Sequence, residues 1–574
     1  MNIFEDYKTK IISLVEKNRK HLNVKVTNYY KNIVVELPPE EFDSDLSSNI
    51  CLVLGKINKI NPKNLANNLK ILIQDNFENI DQISIDGPGF INIRINHKEQ
   101  KKIILKIFKD KASFGTLKSN KRINVEYVSA NPTGPMHVGH CRGAIYGDVL
   151  SNLLKFNGNE VEREYYINDY GNQIINFSKS VFLRIRELKY SEKFISKKDL
   201  YPGDYIIKIA NKIIKDFPNE RFENFNKDFE LISKNSLNLS MNLIKSDLTK
   251  LGVKHDIFFS EKNLIKKDLV NKSINQLKND KLVEEAILPP PKGEESKNWQ
   301  KVTRLVFKSS LFGDDSDRAL QKNDGSFTYF ANDLAYHANK ISRKYNYLIN
   351  ILGADHTGYI KRISTAVQAL SNNKVKLICR VCQLVKLYKN GKPYKMSKRA
   401  GEFITVGDLL KEVNLDSIRF MMLNRSNDVE IDFDFSKVLE KNKDNPVFYV
   451  QYCYARINSL FRTLKLDLNE KIIFDENSLS FNKYEIKLLR KVFDWPKIVE
   501  AASLKYEPHR IPFYLYDLAT IFHSYWSKGN DDDNYKIINN NKIRNLNTVA
   551  VLKIVAIVLE IGMKILGVSL PKKM

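Results

Sequence analysis

Cysteine is scarce in this chain of 574 residues, which contains only five. An odd and scattered set of this kind argues against a disulfide framework and fits a reducing compartment. Cys379 and Cys382 have the spacing of a metal-binding or redox pair. No second Cys or His pair follows them at the distance typical of a zinc site, so the sequence predicts no protein metal ligand.

Long apolar runs and a secretory signal are also lacking. The most apolar stretch, residues 549–568, is interrupted by Lys553, Glu560 and Lys564 on one predicted helical face. It therefore predicts a packed helix of a soluble protein. The first residues have neither the basic start nor the apolar run of a signal peptide. We expect a cytoplasmic protein with no membrane partner.

Acidic residues are outnumbered, with 67 Asp and Glu against 92 Lys and Arg, which gives a formal net charge of +25. A surplus of this sign attracts phosphate polyanions, so nucleic acid is the first partner to consider. Coding rich in adenine and thymine would add lysine without any binding role, and this alternative stays open. The 43% hydrophobic content indicates a folded chain, and its length predicts several domains.

Strand and helix patterns divide the chain into three parts, without internal repeats. Residues 1–115 predict an α+β module, and residues 116–440 predict an α/β domain with a parallel, nucleotide-binding sheet. A Lys-rich helical insertion is expected at about residues 180–300 of that domain, and later strands are expected at residues 327–330, 347–352 and 377–387. Strand signals fade beyond residue 440, so residues 441–574 predict an all-α bundle, with Asn445 and Pro446 marking a helix start.

A Pro/Gly loop lies between a predicted strand at residues 123–128 and a predicted helix at residues 137–156. His137 and His140 share one face of the first helical turn, where unpaired N–H groups and the positive end of the helix dipole suit a triphosphate. Gly139 lets a flat base approach closely. The alternative is a pair of capping histidines without a ligand.

A second motif lies about 260 residues downstream, at residues 389–401 (KNGKPYKMSKRAG). Clustered cations in a short loop repel one another unless an anion lies between them, although an exposed, solvated loop is the alternative. Together the two motifs resemble the paired signatures of class I aminoacyl-tRNA synthetases, placed after the first and last parallel strands. The resemblance implies a Rossmann-like domain that uses ATP with Mg²⁺. It implies catalytic roles for His137, His140, Lys395 and Lys398, and ATP binding by Thr133, Gly134, Pro135, His137, Gly139, His140, Ser397 and Lys398.

Two carboxylates stand near these motifs. Glu126 lies on the strand before the histidine loop, and Asp333 begins a predicted helix. A guanidinium needs carboxylates in a planar, bidentate arrangement, and these two residues could supply them. From pattern alone, Glu126 could equally be an edge-strand surface residue and Asp333 a helix N-cap.

A wider set of segments resembles the bacterial arginyl-tRNA synthetase family, from residues 86–90 to the last residues of the chain. The segments are 86–90 (DGPGF), 125–135 (VEYVSANPTGP), 164–169 (EYYIND), 313–315 (GDD), 325–329 (GSFTY), 352–356 (LGADH), 448–452 (FYVQY) and 566–568 (LGV). The resemblance implies arginine binding by Glu126, Ser129, Asn131, Tyr329, Asp333 and Asp355. The family varies at the position of Asp355.

The C-terminal bundle offers Tyr449, Tyr452 and Arg456 on one helix face. Aromatic rings and a planar cation can stack on unpaired bases, so these residues are candidate tRNA contacts. A buried aromatic stripe that holds the bundle together is the alternative. The resemblance implies that the bundle binds the anticodon, that residues 1–115 contact the tRNA elbow, and that arginine activation requires tRNA. We expect a monomer.

The sequence thus predicts an arginine–tRNA ligase acting on L-arginine, ATP and tRNA(Arg). A class I enzyme for cysteine would need a zinc pocket, and one for glutamate would need cations where Glu126 and Asp333 stand. A catalytically silent tRNA-binding paralogue is a further alternative, although His137, His140, Lys395 and Lys398 are all present. A free nucleotidyltransferase would need neither the N-terminal module nor the bundle.

Overall fold

The computed structural model describes residues 2–26, 30–289, 302–394, 404–475, 478–539 and 542–574. These fall into two compact units, residues 118–439 and residues 1–117 together with 440–574. The N-terminal module and the C-terminal helices, expected as separate domains, thus belong to one unit. Arg490 of the C-terminal part donates to Asp45 Oδ1 at 2.7 Å and to Asp43 Oδ1 at 2.9 Å.

The N-terminal part of the first unit is an α+β module. Its four strands form an antiparallel sheet in the order β1-β2-β4-β3. Asparagine side chains cap three of its helices by accepting from backbone N–H groups of the first turn. The elements are α1 (Ile3–Lys17), β1 (Val35–Glu36), β2 (Leu46–Ser48), α2 (Ile50–Asn58), α3 (Pro62–Asn76), β3 (Ile80–Asp86), β4 (Phe90–Ile95) and α4 (His97–Asp110).

The second unit is an α/β domain built on five parallel strands. The elements that make and cover this sheet are β5 (Arg122–Glu126), α5 (Val138–Phe156), β6 (Glu160–Ile167), α6 (Asn172–Tyr190), α7 (Asp204–Asp216), α8 (Phe225–Lys250), β7 (Ile257–Ser260), α9 (Lys262–Lys266), α10 (Leu269–Asn279), α11 (Tyr329–Ser342), β11 (Tyr347–Gly353), α12 (Ile360–Ser371) and β12 (Lys376–Cys382). The strand order is β12-β11-β5-β6-β7.

Two three-stranded sheets complete this unit, with orders β10-β9-β8 and β14-β13-β15. Their elements and the two remaining helices are β8 (Val283–Ala286), β9 (Arg304–Phe307), β10 (Arg318–Ala319), β13 (Val385–Lys389), β14 (Lys392–Pro393), α13 (Val406–Glu412), α14 (Leu415–Met421) and β15 (Ile431–Asp434). The predicted insertion at about 180–300 is therefore not purely helical, because it contains β7 of the parallel sheet and β8.

Two other expectations need correction. The strand-like residues 327–330 form a turn and the start of α11, because the Thr328 side chain caps the helix by accepting from Ala331 N. The single strand expected at residues 377–387 is β12 followed by β13, which belong to different sheets. The lysine motif accordingly follows the hairpin strand β14 and not the last strand of the five-stranded sheet.

The C-terminal part of the first unit is helical, as its periodicity predicts. Its elements are α15 (Pro446–Thr463), α16 (Lys483–Leu504), α17 (Arg510–Asp531), β16 (Ile538–Asn539), β17 (Lys542–Ile543) and α18 (Leu546–Leu566). Pro446 opens α15 at the predicted position, with Asn445 as its N-cap. Among the residues with a described placement, no helix combines the length and the apolar character needed to cross a membrane.

Candidate active site

The candidate site begins at the carboxyl edge of the parallel sheet. Strand β5 lies between β6 and β11, and it pairs in parallel with both. The chain continues from β5 to β6 on one side and later returns to β11 on the other, so the winding direction reverses at β5. A crevice forms at such a switch point, beyond the carboxyl ends of the strands. Glu126 is the last residue of β5 and lies at this place.

The backbone after β5 turns sharply. Val128 and Ser129 have φ values of 71° and 42°, in the left-handed region that β-branched residues rarely occupy. Ser129 N donates to Tyr127 O at 3.1 Å across Val128, which closes the turn. The Ser129 hydroxyl accepts from Tyr166 N at 3.0 Å and donates to Glu126 Oε1 at 3.4 Å. The turn thus fixes Ser129 against Glu126, two of the residues predicted to bind arginine.

The predicted histidine pair lies at the start of α5. His137 is the N-cap, and its Nδ1 accepts from Gly139 N at 3.1 Å. His140 Nδ1 in turn accepts from His137 N at 3.3 Å, and the two ring centroids are 3.8 Å apart. Each imidazole accepts through its Nδ1 in the cap, so the proton of each neutral ring lies on Nε2. The capping role and a phosphate-binding role are therefore compatible.

Both histidines are held neutral. Burial lowers the pKa of His137, and burial together with the His137 charge lowers the pKa of His140 to about 4. At neutral pH each ring therefore carries one proton, which the Nδ1 caps direct to Nε2. Two neutral N–H donors at the positive end of the α5 dipole form a polar site that suits a triphosphate.

The loop residues before the histidines are held by the insertion helices. Tyr205 OH donates to Thr133 O at 2.8 Å, and Met136 N donates to Asp247 Oδ2 at 3.2 Å. A Cβ on Gly134 would lie 3.0 Å from the Tyr205 ring, so the loop requires glycine there. A hollow of about 490 Å³ borders the loop, and its lining includes Pro135, Tyr205, Lys208, Asp247, Lys250 and Thr405.

Lys395, Ser397 and Lys398 of the second motif lie outside the described residues. The described chain resumes at Ile404, whose carbonyl oxygen accepts from Val138 N at 2.9 Å. Val406 N donates to Met136 O at 3.1 Å. The end of the lysine segment is therefore attached to the histidine loop, although the two motifs are far apart in sequence.

The predicted carboxylates come together on the other side of β5. Asp333, near the start of α11, accepts from Tyr359 OH at 2.6 Å. Its pKa is raised to about 6, first by burial and then by the charge of Glu126. Glu126 accepts from the ammonium of Lys340, and the Lys340 side chain is fully buried. Asp333 is thus not the N-cap of its helix, a role that Thr328 has.

Two charged residues of this cluster escaped the sequence reasoning. Glu261 follows β7, is 8% exposed, and accepts from Asn332 Nδ2 at 3.3 Å. Burial first, and then the charges of Asp333 and Asp169, raise its pKa to about 7. Lys340 lies seven residues after Asp333 and therefore on the same face of α11, a spacing that could have identified it. No comparable local signal marks Glu261.

The other predicted arginine-binding residues are less enclosed. Asn131 is exposed and accepts from Asn168 Nδ2 at 3.0 Å. Tyr329 is 77% exposed at the start of α11. The Asp355 side chain is 81% exposed and lies 3.5 Å from His356 Nε2, so the structure does not bring it into the carboxylate cluster.

The predicted tRNA-binding residues lie on α15 in the first unit. The Tyr449 ring centroid is 4.3 Å from that of His523, and the Arg456 guanidinium lies 4.2 Å from the centroid of the Tyr452 ring. Arg456 also donates to Tyr452 OH at 3.0 Å. All three predicted residues are half-buried, so they pack between helices and also reach the surface.

Metal-binding geometry is not found among the described residues, where no group of three or more His, Cys, Asp or Glu could hold an ion. Cys379 is half-buried and Cys382 is buried on β12, and both are free thiols. Burial raises the pKa of each to about 12. Neither thiol is therefore poised as a thiolate ligand at neutral pH.

Comparisons with known proteins match the chain along its length. Residues 103–459 match the family model "tRNA synthetases class I (R), catalytic domain". Residues 6–95 match "Arginyl tRNA synthetase N terminal domain", and residues 450–574 match "DALR anticodon binding domain".

Individual relatives agree with the family models. The chain is 51% identical to an arginine–tRNA ligase of Pelagibacter ubique and 42% identical to one of Bartonella henselae, each over 100% of both chains. It is similar in fold to a Thermus thermophilus arginyl-tRNA synthetase structure, with a TM-score of 0.71, 19% identity, and coverage of 99% of this chain and 100% of that one.

A histidine-capped helix at the switch point of a parallel sheet, together with the match to the catalytic-domain model, defines a class I aminoacyl-tRNA synthetase. The chain belongs to the arginyl-tRNA synthetase family.

Proposed function

We propose that this protein is an arginine–tRNA ligase, which activates L-arginine with ATP and transfers it to the 3′ end of tRNA(Arg). The observation that carries this proposal is a half-buried carboxylate pair, Glu126 and Asp333, at the same sheet edge as the His137–His140 pair. A guanidinium is the side-chain cation that matches clustered carboxylates through several planar donors. Identity of 51% to an arginine–tRNA ligase supports the same function.

The histidine loop handles ATP in this proposal. The Nε2–H groups of His137 and His140 donate to phosphate oxygens, and the open backbone at Gly139 receives the adenosine. Thr133, Gly134 and Pro135 shape the loop that carries them. Lys395 and Lys398, with Ser397 beside them, stabilise the charge that develops on the phosphates in the transition state.

The carboxylate cluster binds arginine in this proposal. Asp333 and Glu126 hold its positive groups, and Ser129, Asn131 and Tyr329 complete the hydrogen bonds. Asp355 would contact arginine only after a movement of its exposed loop, so it has the weakest geometric support of the set.

Both chemical steps of the proposed reaction depend on the positions in which the enzyme holds its reactants. An oxygen of the arginine carboxylate forms a bond to the α-phosphorus of ATP, the bond from that phosphorus to the bridging oxygen breaks, and diphosphate leaves. A hydroxyl of the terminal tRNA nucleotide then attacks the carbonyl carbon of arginyl-adenylate, and AMP leaves. Neither step needs a covalent bond to the enzyme. Mg²⁺ bound with ATP would supply positive charge beside the phosphates, and we assign its binding to no protein residue.

The remaining parts of the protein bind tRNA in this proposal. The net charge of +25 supports attraction of the tRNA backbone, and Tyr449, Tyr452 and Arg456 contact unpaired anticodon bases. The module at residues 1–115 contacts the tRNA elbow. We further propose that the enzyme acts as a monomer in the cytoplasm and activates arginine only when tRNA is bound.

Aminoacylation of bulk tRNA with each standard amino acid in turn tests the proposal. We expect ATP-dependent charging with arginine alone. Omitting tRNA from an ATP–pyrophosphate exchange assay with arginine then tests whether activation requires RNA. Binding of tRNA without charging by any amino acid would instead identify a silent paralogue.

A further inference from the structure

Lys340 is a charged side chain with no access to solvent. Its side chain is 0% exposed, and its ammonium donates to Glu126 and to Asn350 Oδ1, the latter at 3.3 Å. The ammonium also lies 4.5 Å from the centroid of the Tyr336 ring. Burying an ammonium is costly unless it is paired and hydrogen-bonded, and Glu126 is the only carboxylate within ion-pair distance among the contacts of the described residues.

The hydrogen bonds continue from Lys340 to the backbone of Asp333, the residue that bears the other predicted carboxylate. Asn350 Nδ2 lies 3.0 Å from His337 Nε2, and His337 Nδ1 lies 2.8 Å from the carbonyl oxygen of Asp333. Burial lowers the pKa of His337 to about 3, so the ring is neutral. A carbonyl can only accept, so Nδ1 carries the proton and Nε2 accepts from Asn350.

All hydrogen bonds of this chain can therefore form at the same time, because Asn350 accepts through Oδ1 and donates through Nδ2. Lys340 donates to Glu126 and Asn350, Asn350 donates to His337, and His337 donates to Asp333. This chain of hydrogen bonds couples the end of β5, which carries Glu126, to the backbone of α11 at Asp333.

The charges around Asp333 are mainly negative. The titratable and charged groups that interact with it or lie beside it come from β5, β6, α9, α11 and the turn after β11, namely Glu126, Tyr166, Glu261, His337, Lys340, His356 and Tyr359. Lys340 is the permanently cationic member of this set, and its charge favours the ionised form of Asp333. Without it, Glu126 and Asp333 would repel each other in a buried site.

We propose that Lys340 is a positioning residue for arginine recognition: its buried ammonium fixes the Glu126 carboxylate and offsets one negative charge of the pocket. This inference rests on the proposed function, because it assigns Glu126 and Asp333 to the arginine substrate. Lys340 acts through these carboxylates and need not touch arginine. The pocket then retains its net negative charge for the substrate without forcing its carboxylates to take up protons.

The test compares Lys340→Met with the wild type in full-length enzyme, by ATP–pyrophosphate exchange with tRNA present. Methionine keeps the length of the side chain and removes the charge. We expect the KM for arginine to rise at least about tenfold, and the KM for ATP to change less than about twofold. The acid limb of the arginine KM profile should move to higher pH, because loss of the Lys340 charge raises the pKa of Asp333.

Lys553→Met is the matched control. Lys553 is also a buried lysine, 4% exposed, but it belongs to the other compact unit and donates to the Glu470 carbonyl oxygen. We expect this variant to lose stability in thermal unfolding without a change in the KM for arginine. Equal behaviour of the two variants in both measurements would overturn the proposal, because Lys340 would then have only a structural role.

A double variant tests whether Lys340 affects arginine binding through Glu126 or independently of it. Lys340→Met combined with Glu126→Gln should raise the KM for arginine no further than Glu126→Gln alone, whereas additive effects would overturn the proposal. If Lys340→Met does not fold, Lys340→Gln, which keeps a hydrogen-bond donor, takes its place with the same expectations. Wild-type enzyme without arginine-dependent exchange would refute the proposed function, whereas wild-type activity with an unaffected Lys340 variant would refute only this inference.

Discussion

The histidine loop and the carboxylate cluster lie at the same sheet edge but are built differently. The histidine pair is local, since its polar contacts join His137, Gly139 and His140, which lie within three positions of one another. The cluster joins Glu126 at the end of β5, Glu261 after β7, and Asp333 and Lys340 on α11. The two histidines are neutral at pH 7, whereas the cluster contains carboxylates and a lysine. The comparison teaches that general nucleotide chemistry can be a local motif, while substrate choice depends on tertiary structure.

His140→Ala tests the loop and should have the largest effect. Removing one preorganised donor to the developing phosphate charge should lower kcat of ATP–pyrophosphate exchange about 10²- to 10³-fold. The exposed His21 offers a matched control, since His21→Ala should leave kcat unchanged. A wild-type rate in His140→Ala would remove this residue from the mechanism.

Asp333→Asn tests the cluster by removing its charge with little change in shape. We expect the KM for arginine to rise about 10- to 150-fold, as for the loss of a hydrogen bond to a charged group worth about 1.5–3 kcal/mol. The KM for ATP should stay nearly constant. Asp355→Asn is the control on an exposed carboxylate and should have a much smaller effect. Parallel increases in both KM values would contradict the division of labour between loop and cluster.

The pH dependence of the wild-type kinetics distinguishes the histidine loop from the carboxylate cluster. Asp333, with its pKa raised to about 6, is ionised above that pH and loses its charge as the pH falls through it. Arginine binding should therefore weaken about tenfold between pH 7.5 and pH 5, as measured by kcat/KM for arginine. His140, with a pKa of about 4, stays neutral over this range, so kcat at saturating arginine should change little. A flat kcat/KM profile would be inconsistent with the cluster.

The smallest expected effect comes from relieving the backbone strain at Val128, which lies between the carboxylate cluster and the histidine loop. Val128→Gly should leave the free energy of unfolding within about 1 kcal/mol of the wild type, because relief of the left-handed strain offsets the lost side chain and the added chain entropy. Val385→Gly, at a half-buried strand position with ordinary backbone, should cost more. Urea unfolding of both variants makes the comparison, and equal losses would show that Val128 is not strained.

The sequence predicted the local features well. The strand before the histidine loop, helix α5 with its N-cap at His137, and the Pro446 start of α15 follow from turn residues and periodicity that act over a few positions. Glu126 and Asp333 could be assigned only through resemblance, because their pattern also fits a surface strand residue and an N-cap. The structure gives the N-cap to Thr328 and leaves Asp333 half-buried, where its carboxylate accepts from Tyr359 OH.

Features that depend on contacts between residues far apart in the chain could not be predicted from the sequence. Strand β7 is four residues long, and only its pairing with β6 separates it from the surrounding helices. Glu261 becomes part of the cluster because this pairing carries it to the sheet edge. Lys340 resembles any basic residue near the end of a helix until its contact with Glu126 is known. In each case the deciding interaction joins residues far apart in the chain.

Competition between arginine and citrulline tests the account most directly. Citrulline has nearly the same shape as arginine but carries a neutral ureido group, which would leave a buried carboxylate unpaired. Charging of tRNA(Arg) by the wild-type enzyme should favour arginine over citrulline in kcat/KM by about 10⁴-fold or more. Comparable values for the two amino acids would contradict recognition of the guanidinium by Glu126 and Asp333.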